Sequence, residues 1–214
     1  MKSGNTDSGG SDDTNRLEAF SDGVFAVAIT LLVPNIQVPH LKDLQPPTTL
    51  VDALLKQWPS YLGYVISFFT IGIVWANHHR TFTLVVHADY SLLMLNVFLL
   101  MTVTLIPFTT ALLSEYIEQP DQQRTAAFIY SSGWLLLAIA YNLLWKYAVS
   151  RAHVDPTLTP SMLNSIGRRT LTGLLFYIIA VIVAFFSAIA SVLICLALAI
   201  YYLIPVETLP ERLR

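Results

Sequence analysis

The sequence predicts an all-α, polytopic membrane protein of six transmembrane helices, and three observations lead there. Of 214 residues, 55% are hydrophobic and only 12% charged, against about 25% charged in an ordinary soluble domain. Mean hydropathy is +0.60. Apolar stretches of the length a bilayer span needs, about 20 residues each, recur along the chain with short polar segments between them. This composition excludes an ordinary soluble enzyme and a disordered chain. The net charge of −2 argues against a nucleic-acid partner. The length suits one domain. Cys195 is the only cysteine, so neither an intrachain disulfide nor a cysteine-based zinc site is available.

Residues 1–14 are small, polar and acidic and read as a disordered N-terminal tail without signal-peptide character. The six-helix unit is expected over 15–206, with a cytoplasmic C-terminal tail at 207–214. Asn15 and Glu18 have capping-box spacing, which places the first helix start at Asn15. The first span is expected over Phe20–Val38, before a loop holding Pro39, Pro46 and Pro47. The second covers Leu50–His78, opened by a Thr48/Thr49 cap with Asp52 in the first turn. The third covers Tyr90–Leu113 with Pro107 inside it; a membrane helix tolerates proline where neighbours re-satisfy the freed carbonyl. The fourth covers Thr125–Tyr147. The polar stretch 150–170 fits either a linker or, over Asp155–Arg169, an amphipathic surface helix. Residues 171–204 are apolar throughout. A single helix there would run about 51 Å against about 30 Å of hydrocarbon, so two short spans turning near Ser187–Ser191 are expected.

Basic residues orient the bundle. With six spans, Lys2, Arg16, Arg80, Lys146, Arg151, Arg168, Arg169, Arg212 and Arg214 share one side, against Lys42, Lys56 and Arg124 on the other. Both termini are therefore expected in the cytoplasm.

The first span is the most informative. At about 100° per residue, Arg16, Phe20, Gly23, Val24, Val27, Thr30, Leu31 and Pro34 form one stripe roughly 120° wide. Asp22 falls on the opposite side. A carboxylate near the end of a span needs a partner within the bundle. Candidates sit at the same level on the second span: Trp75, Asn77, His78 and His79. Ser21 and Asp22 are expected to form a polar latch with them, the Trp indole acting only as a donor. Asp22 as an ion ligand is the alternative, and Arg16 can equally be a positive-inside anchor. The adjacent pair His78–His79 diverges on a helix and lacks a companion ligand, so no metal site is expected. An interfacial role or a pH-sensing one stays open. Glu115, Glu118 and Asp121 cluster on the other side, either concentrating cations or simply solvated. There is no GxSxG, Ser-x-x-Lys or P-loop, and no catalytic residue is expected.

The motif Arg16-x-x-x-Phe20-Ser21-Asp22 resembles the RxxxFSD signature of the transmembrane protein 175 family of potassium channels, found in endolysosomes and prokaryotes. Trp75-x-x-His78-His79 and Leu105-Ile106-Pro107-Phe108 extend the resemblance, which covers about residues 15–205. The chain holds one copy of the six-helix unit, as in prokaryotic members; animal members hold two. The resemblance implies a homotetramer in the lipid bilayer, a prokaryotic plasma membrane being the natural setting, with first helices lining a central pore. It implies no cofactor beyond potassium as the permeant ion. It places Val27, Leu31 and Pro34 at hydrophobic constrictions and Thr30 at a hydroxyl position, the same stripe that the helical wheel defines. Val27 is smaller than the family's Ile or Leu, and Pro34 replaces an aliphatic residue. The TVGYG filter of ordinary potassium channels is absent, so selectivity for potassium over sodium is expected to be modest. The alternative is an ion-coupled secondary transporter, which would call for internal repeats and midplane charges; neither is apparent.

Overall fold

The computed structural model describes residues 8–40, 44 and 46–204. Its helices are α1 (Ser8–Thr30), a short 3-10 turn (Val33–Asn35), α2 (Leu50–Leu55), α3 (Trp58–Phe82), α4 (Tyr90–Tyr116), α5 (Gln123–Ser150), α6 (Pro160–Ala184) and α7 (Ala188–Leu203). Among the described residues the structure is all-helical, save one isolated bridge between Val85 and Val154. Five segments are long and apolar enough to cross a membrane, and α7 is a shorter apolar helix. At 16 residues, α7 is about 24 Å long.

α4 and α5 form the centre of the bundle. α1 packs on α3 and α4, while α6 and α7 pack on α5 and on each other. The buried core runs through Leu99, Val103 and Ile106 of α4 and Tyr130, Trp134 and Leu144 of α5. The exterior is also apolar: Phe69, Leu175, Ile182 and Phe186 are exposed, as a lipid-facing surface requires. Small residues let the helices approach. A Cβ on Gly63 would stand 2.5 Å from the Ser114 hydroxyl of α4, and one on Gly133 would stand 3.2 Å from Thr109.

Local chemistry sets the ends of the helices. Thr49 and Asp52 form the expected capping box: the Asp52 amide donates to the Thr49 hydroxyl at 3.2 Å, and the Thr49 amide donates to the Asp52 carboxylate at 2.9 Å. The second apolar segment is nevertheless two helices. α2 stops at Leu55, and α3 begins at Trp58 with Pro59 in its first turn, a place where the missing N–H costs nothing. Asp89 caps α4 by accepting from the Leu92 amide at 2.8 Å. α4 continues through Pro107.

The turn between α6 and α7 falls where the length argument puts it. It contains neither Gly nor Pro. Ser187 caps α7 by accepting from the Ala190 amide at 3.2 Å, and the Ser191 hydroxyl donates back to the Ala180 carbonyl of α6 at 2.8 Å.

Several boundaries differ from expectation. α1 starts at Ser8 rather than Asn15, so residues 8–14, read as tail, are helical; Thr14 and Leu17 are buried, which gives the added turns a surface to pack on. Asn15 therefore lies inside the helix and does not cap it. Residues 1–7, and the tail at 207–214, lie outside the described residues. α1 ends at Thr30, short of Val38, and the chain continues as a 3-10 turn with Pro34 at its centre. The stretch expected as a linker or surface helix before residue 170 is instead the first part of α6. Thr159 caps that helix at the Met162 amide, 3.4 Å away, with Pro160 in its first turn.

Candidate pore-lining helix and its polar latch

α1 sorts its residues into two faces. Leu17, Ser21, Phe25, Ala28 and Leu32 are buried against the rest of the chain. Arg16, Phe20, Gly23, Val27, Thr30, Leu31 and Pro34 are exposed. The contrast between neighbours is sharp: Val27 is 54% exposed beside Ala28 at 0%, and Leu31 is 48% exposed beside Leu32 at 0%. The stripe found on the helical wheel is thus the face of α1 that the rest of the chain leaves uncovered, apart from the half-buried Val24. It persists beyond the helix end because the Leu31 amide still donates to the Val27 carbonyl at 2.9 Å. Thr30 donates its hydroxyl to the Val27 carbonyl at 2.8 Å. That uses its only proton and leaves both oxygen lone pairs available. Asn35 donates to the carbonyl of Pro107 at 3.4 Å, tying the end of the segment to α4.

The opposite face carries two polar connections to the bundle. The first is at the surface: the Trp75 indole donates to the Asp22 carboxylate at 2.8 Å. One turn earlier Glu18 pairs with His79, whose ring stacks on Trp75 at 6.2 Å between centroids. Glu18 and Asp22 are four residues apart, as are Trp75 and His79, so two adjacent turns of α1 meet two adjacent turns of α3.

The second connection is buried. His78 Nε2 lies 2.8 Å from Asn96 Oδ1, Asn96 Nδ2 donates to the Ser21 hydroxyl at 2.9 Å, and Ser21 donates to the Leu17 carbonyl at 2.8 Å. The direction of each bond follows from the next. The Ser21 hydrogen goes to the backbone, so its oxygen accepts. The Asn96 amide nitrogen then points to Ser21, its oxygen accepts from His78, and the His78 proton is on Nε2. Phe25 and Phe82 pack against the His78 ring at 5.3 and 4.4 Å. His78 Nδ1 has no hydrogen-bond partner.

Of the contacts expected from Ser21 and Asp22, the Trp75–Asp22 bond is direct; His78 reaches Ser21 only through Asn96, His79 pairs with Glu18 instead, and Asn77 takes no part. Its side chain donates to the Ile73 carbonyl of its own helix, and its backbone carbonyl accepts from the Tyr141 hydroxyl of α5 at 2.9 Å. On a helix, Asn77 points away from His78. Two members were missed. Asn96 is a lone amide in an apolar helix, a signal in itself, since a buried amide demands partners. Glu18 has the spacing of a cap with Asn15, yet it stands one turn before Asp22 and pairs with His79.

Residues 16–107, which contain this stripe and both connections, match the model of the family described as Endosomal/lysosomal potassium channel TMEM175. A potassium channel from Chamaesiphon minutus is 44% identical over 194 residues, 89% of this chain and 93% of its own length. The chain belongs to the TMEM175 family. A potassium channel from Streptomyces collinus is 40% identical, over 89% of this chain and 91% of its own. The crystal structure of a lysosomal potassium-selective channel TMEM175 homolog from Chamaesiphon minutus superposes with a TM-score of 0.81 at 43% identity, covering 90% of this chain and 97% of that one. Family membership and the apolar helices together make this a multi-pass membrane protein. The TMEM175 model stops at Pro107, so the latch lies within the matched region while α5, α6 and α7 lie beyond it.

Proposed function

We propose that this chain is the subunit of a potassium-permeable cation channel in which four identical copies bring their first helices together around a central path. The observation that carries the reading is the uncovered stripe of α1, with Val27 and Leu31 exposed while Ala28 and Leu32 are buried. The relatives named as potassium channels support it. With both termini cytoplasmic, the path runs from Arg16 and Phe20 at the inner end to Pro34 at the outer end.

Rings of Val27 and Leu31 form a hydrophobic constriction that closes by excluding water. The Thr30 oxygens offer ligands to a partly dehydrated cation. Selectivity for potassium over sodium is modest, because nothing in the stripe replaces a full hydration shell. The Asp22–Trp75 and Ser21–Asn96–His78 connections set the angle of α1 and thereby bias the gate. Six segments cross the bilayer, α7 being the short one, and the plasma membrane of a prokaryote is the setting.

The test is a mass measurement on protein purified in detergent, paired with potassium flux from liposomes on the same preparation. A tetramer with fast, voltage-following flux and no coupled ion is expected. A monomer, or slow flux coupled stoichiometrically to a second ion, overturns the reading.

A further inference from the structure

α3, α5, α6 and α7 line a partly open pocket with a cavity volume of about 110 Å³. Its two ends differ chemically. Arg80, Arg169, Asn77 and Tyr202 line one end, and Val74, Leu137 and Tyr177 line the other. Thr70 and Arg80, both lining residues on α3, are ten residues apart, so the pocket extends about 15 Å along the helix. The polar end lies near the C-terminal end of α3 and more than two turns inside α6, toward the end of the bundle that also carries Lys146, Arg151 and Arg168.

Arg169 is the pivotal residue. Its guanidinium is 5.4 and 5.2 Å from the ring centroids of Tyr201 and Tyr202, and Nη2 donates to the Tyr202 carbonyl at 2.9 Å. The Tyr202 hydroxyl donates back to the Arg169 carbonyl at 3.0 Å. The clasp holds the cation in place without neutralising it. Arg169 Nε is buried with no hydrogen-bond partner. Among the described residues no carboxylate pairs with Arg169, and none lines the pocket. A cation at membrane depth calls for an anion. A cationic mouth over an apolar depth between helices matches an amphiphile with an anionic head and hydrocarbon tail.

We propose that this pocket is a binding site for an anionic phospholipid, its phosphate held at Arg169 and Arg80 and its acyl chain lying along Val74, Leu137 and Tyr177. The site does not depend on how ions permeate, and its test uses no flux.

The full-length protein purified in detergent is titrated with phosphatidylglycerol or with phosphatidylcholine of identical chains, and retained lipid is counted by native mass spectrometry. Phosphatidylglycerol is expected to be retained in preference, by about fivefold for each arginine engaged. Arg169→Gln should remove about that factor, and Arg169→Lys should keep most of it. Ile166→Trp, which narrows the pocket while keeping both arginines, should lower retention of both lipids, so the proposal remains testable if Arg169→Gln does not fold. Excess inorganic phosphate should not displace the lipid. Equal retention of the two lipids, an unchanged preference in Arg169→Gln, or no effect of Ile166→Trp overturns the proposal. Displacement by phosphate alone would show a free-anion site and also overturn it. A neighbouring subunit covering the pocket would appear as no retention by the intact assembly, with the same consequence.

Discussion

Trp75 donates its indole N–H to the Asp22 carboxylate at 2.8 Å, so the residue that closes the family signature on α1 is tethered to the residue that opens the second motif on α3. The bond lies at the surface of the bundle. Its worth to stability is therefore modest, and its effect should be felt in the angle of α1. Trp75→Phe keeps the ring and its stacking on His79 but loses the donor. It is expected to cost about 1 kcal/mol and to change basal potassium flux. Thermal unfolding in detergent and liposome flux on the same samples check both; flux identical to wild type would detach the tether from gating.

The two faces of α1 should respond oppositely to the same substitution. Val27→Ser and Leu31→Ser alter exposed positions, so they should leave thermal stability near wild type and raise flux severalfold by wetting the constriction. Leu32→Ser alters a residue buried against the core of the chain and should cost about 3 kcal/mol. Unchanged current and selectivity in both Val27→Ser and Leu31→Ser would remove these residues from the pore.

Asn96 joins His78 to Ser21, and its loss strands both. Asn96→Ala should destabilise by about 1–2 kcal/mol, the scale of a hydrogen bond within a membrane bundle plus the cost of an unpaired buried group. Unfolding midpoints of Asn96→Ala, Ser21→Ala and the double variant measure the coupling. If the two effects simply add, the chain of bonds is not cooperative.

Asp89 lies outside the membrane-spanning segments and gives a pH dependence of defined sign. The Leu92 amide, then the Tyr147 hydroxyl and His153, favour its ionised form and hold its carboxyl below the ordinary carboxylate range. A depressed folded-state pKa contributes stability that is fully present above the unfolded value of about 4 and is lost as pH falls through the folded value. Asp89→Asn should therefore lower stability at neutral pH, matter less and less as pH falls below about 4, and so flatten the acid side of the stability profile. Unfolding midpoints taken across that range decide it.

Much of this architecture is legible in the sequence, because each cue acts locally. Thr49 and Asp52 are three residues apart and cap α2 wherever the bundle goes. The period of α1 separates Val27 from Ala28 before any neighbour is known. The excess length of residues 171–204 demands a turn, and Ser187 supplies the cap. What could not be read depends on partners distant in sequence. Asn96 meets Ser21 across 75 residues. Asn77 looks like a latch residue by proximity to His78, yet the 100° step between neighbours on a helix turns it toward α5. Arg169 reads only as a positive-inside marker until Tyr202 and the empty space beside it are placed. The capping spacing of Asn15 and Glu18 was outweighed by the packing of Thr14 and Leu17, which carries the helix further upstream.

The break between α6 and α7 rests on two serine side chains, without a helix-breaking residue. Replace both Ser187 and Ser191 by alanine and the sequence from Pro160 to Leu203 would read as one uninterrupted rod of about 66 Å, twice the thickness of the hydrocarbon layer. Such a rod would outrun the bilayer, so a turn is still required, and the two oxygens fix the residue at which it falls.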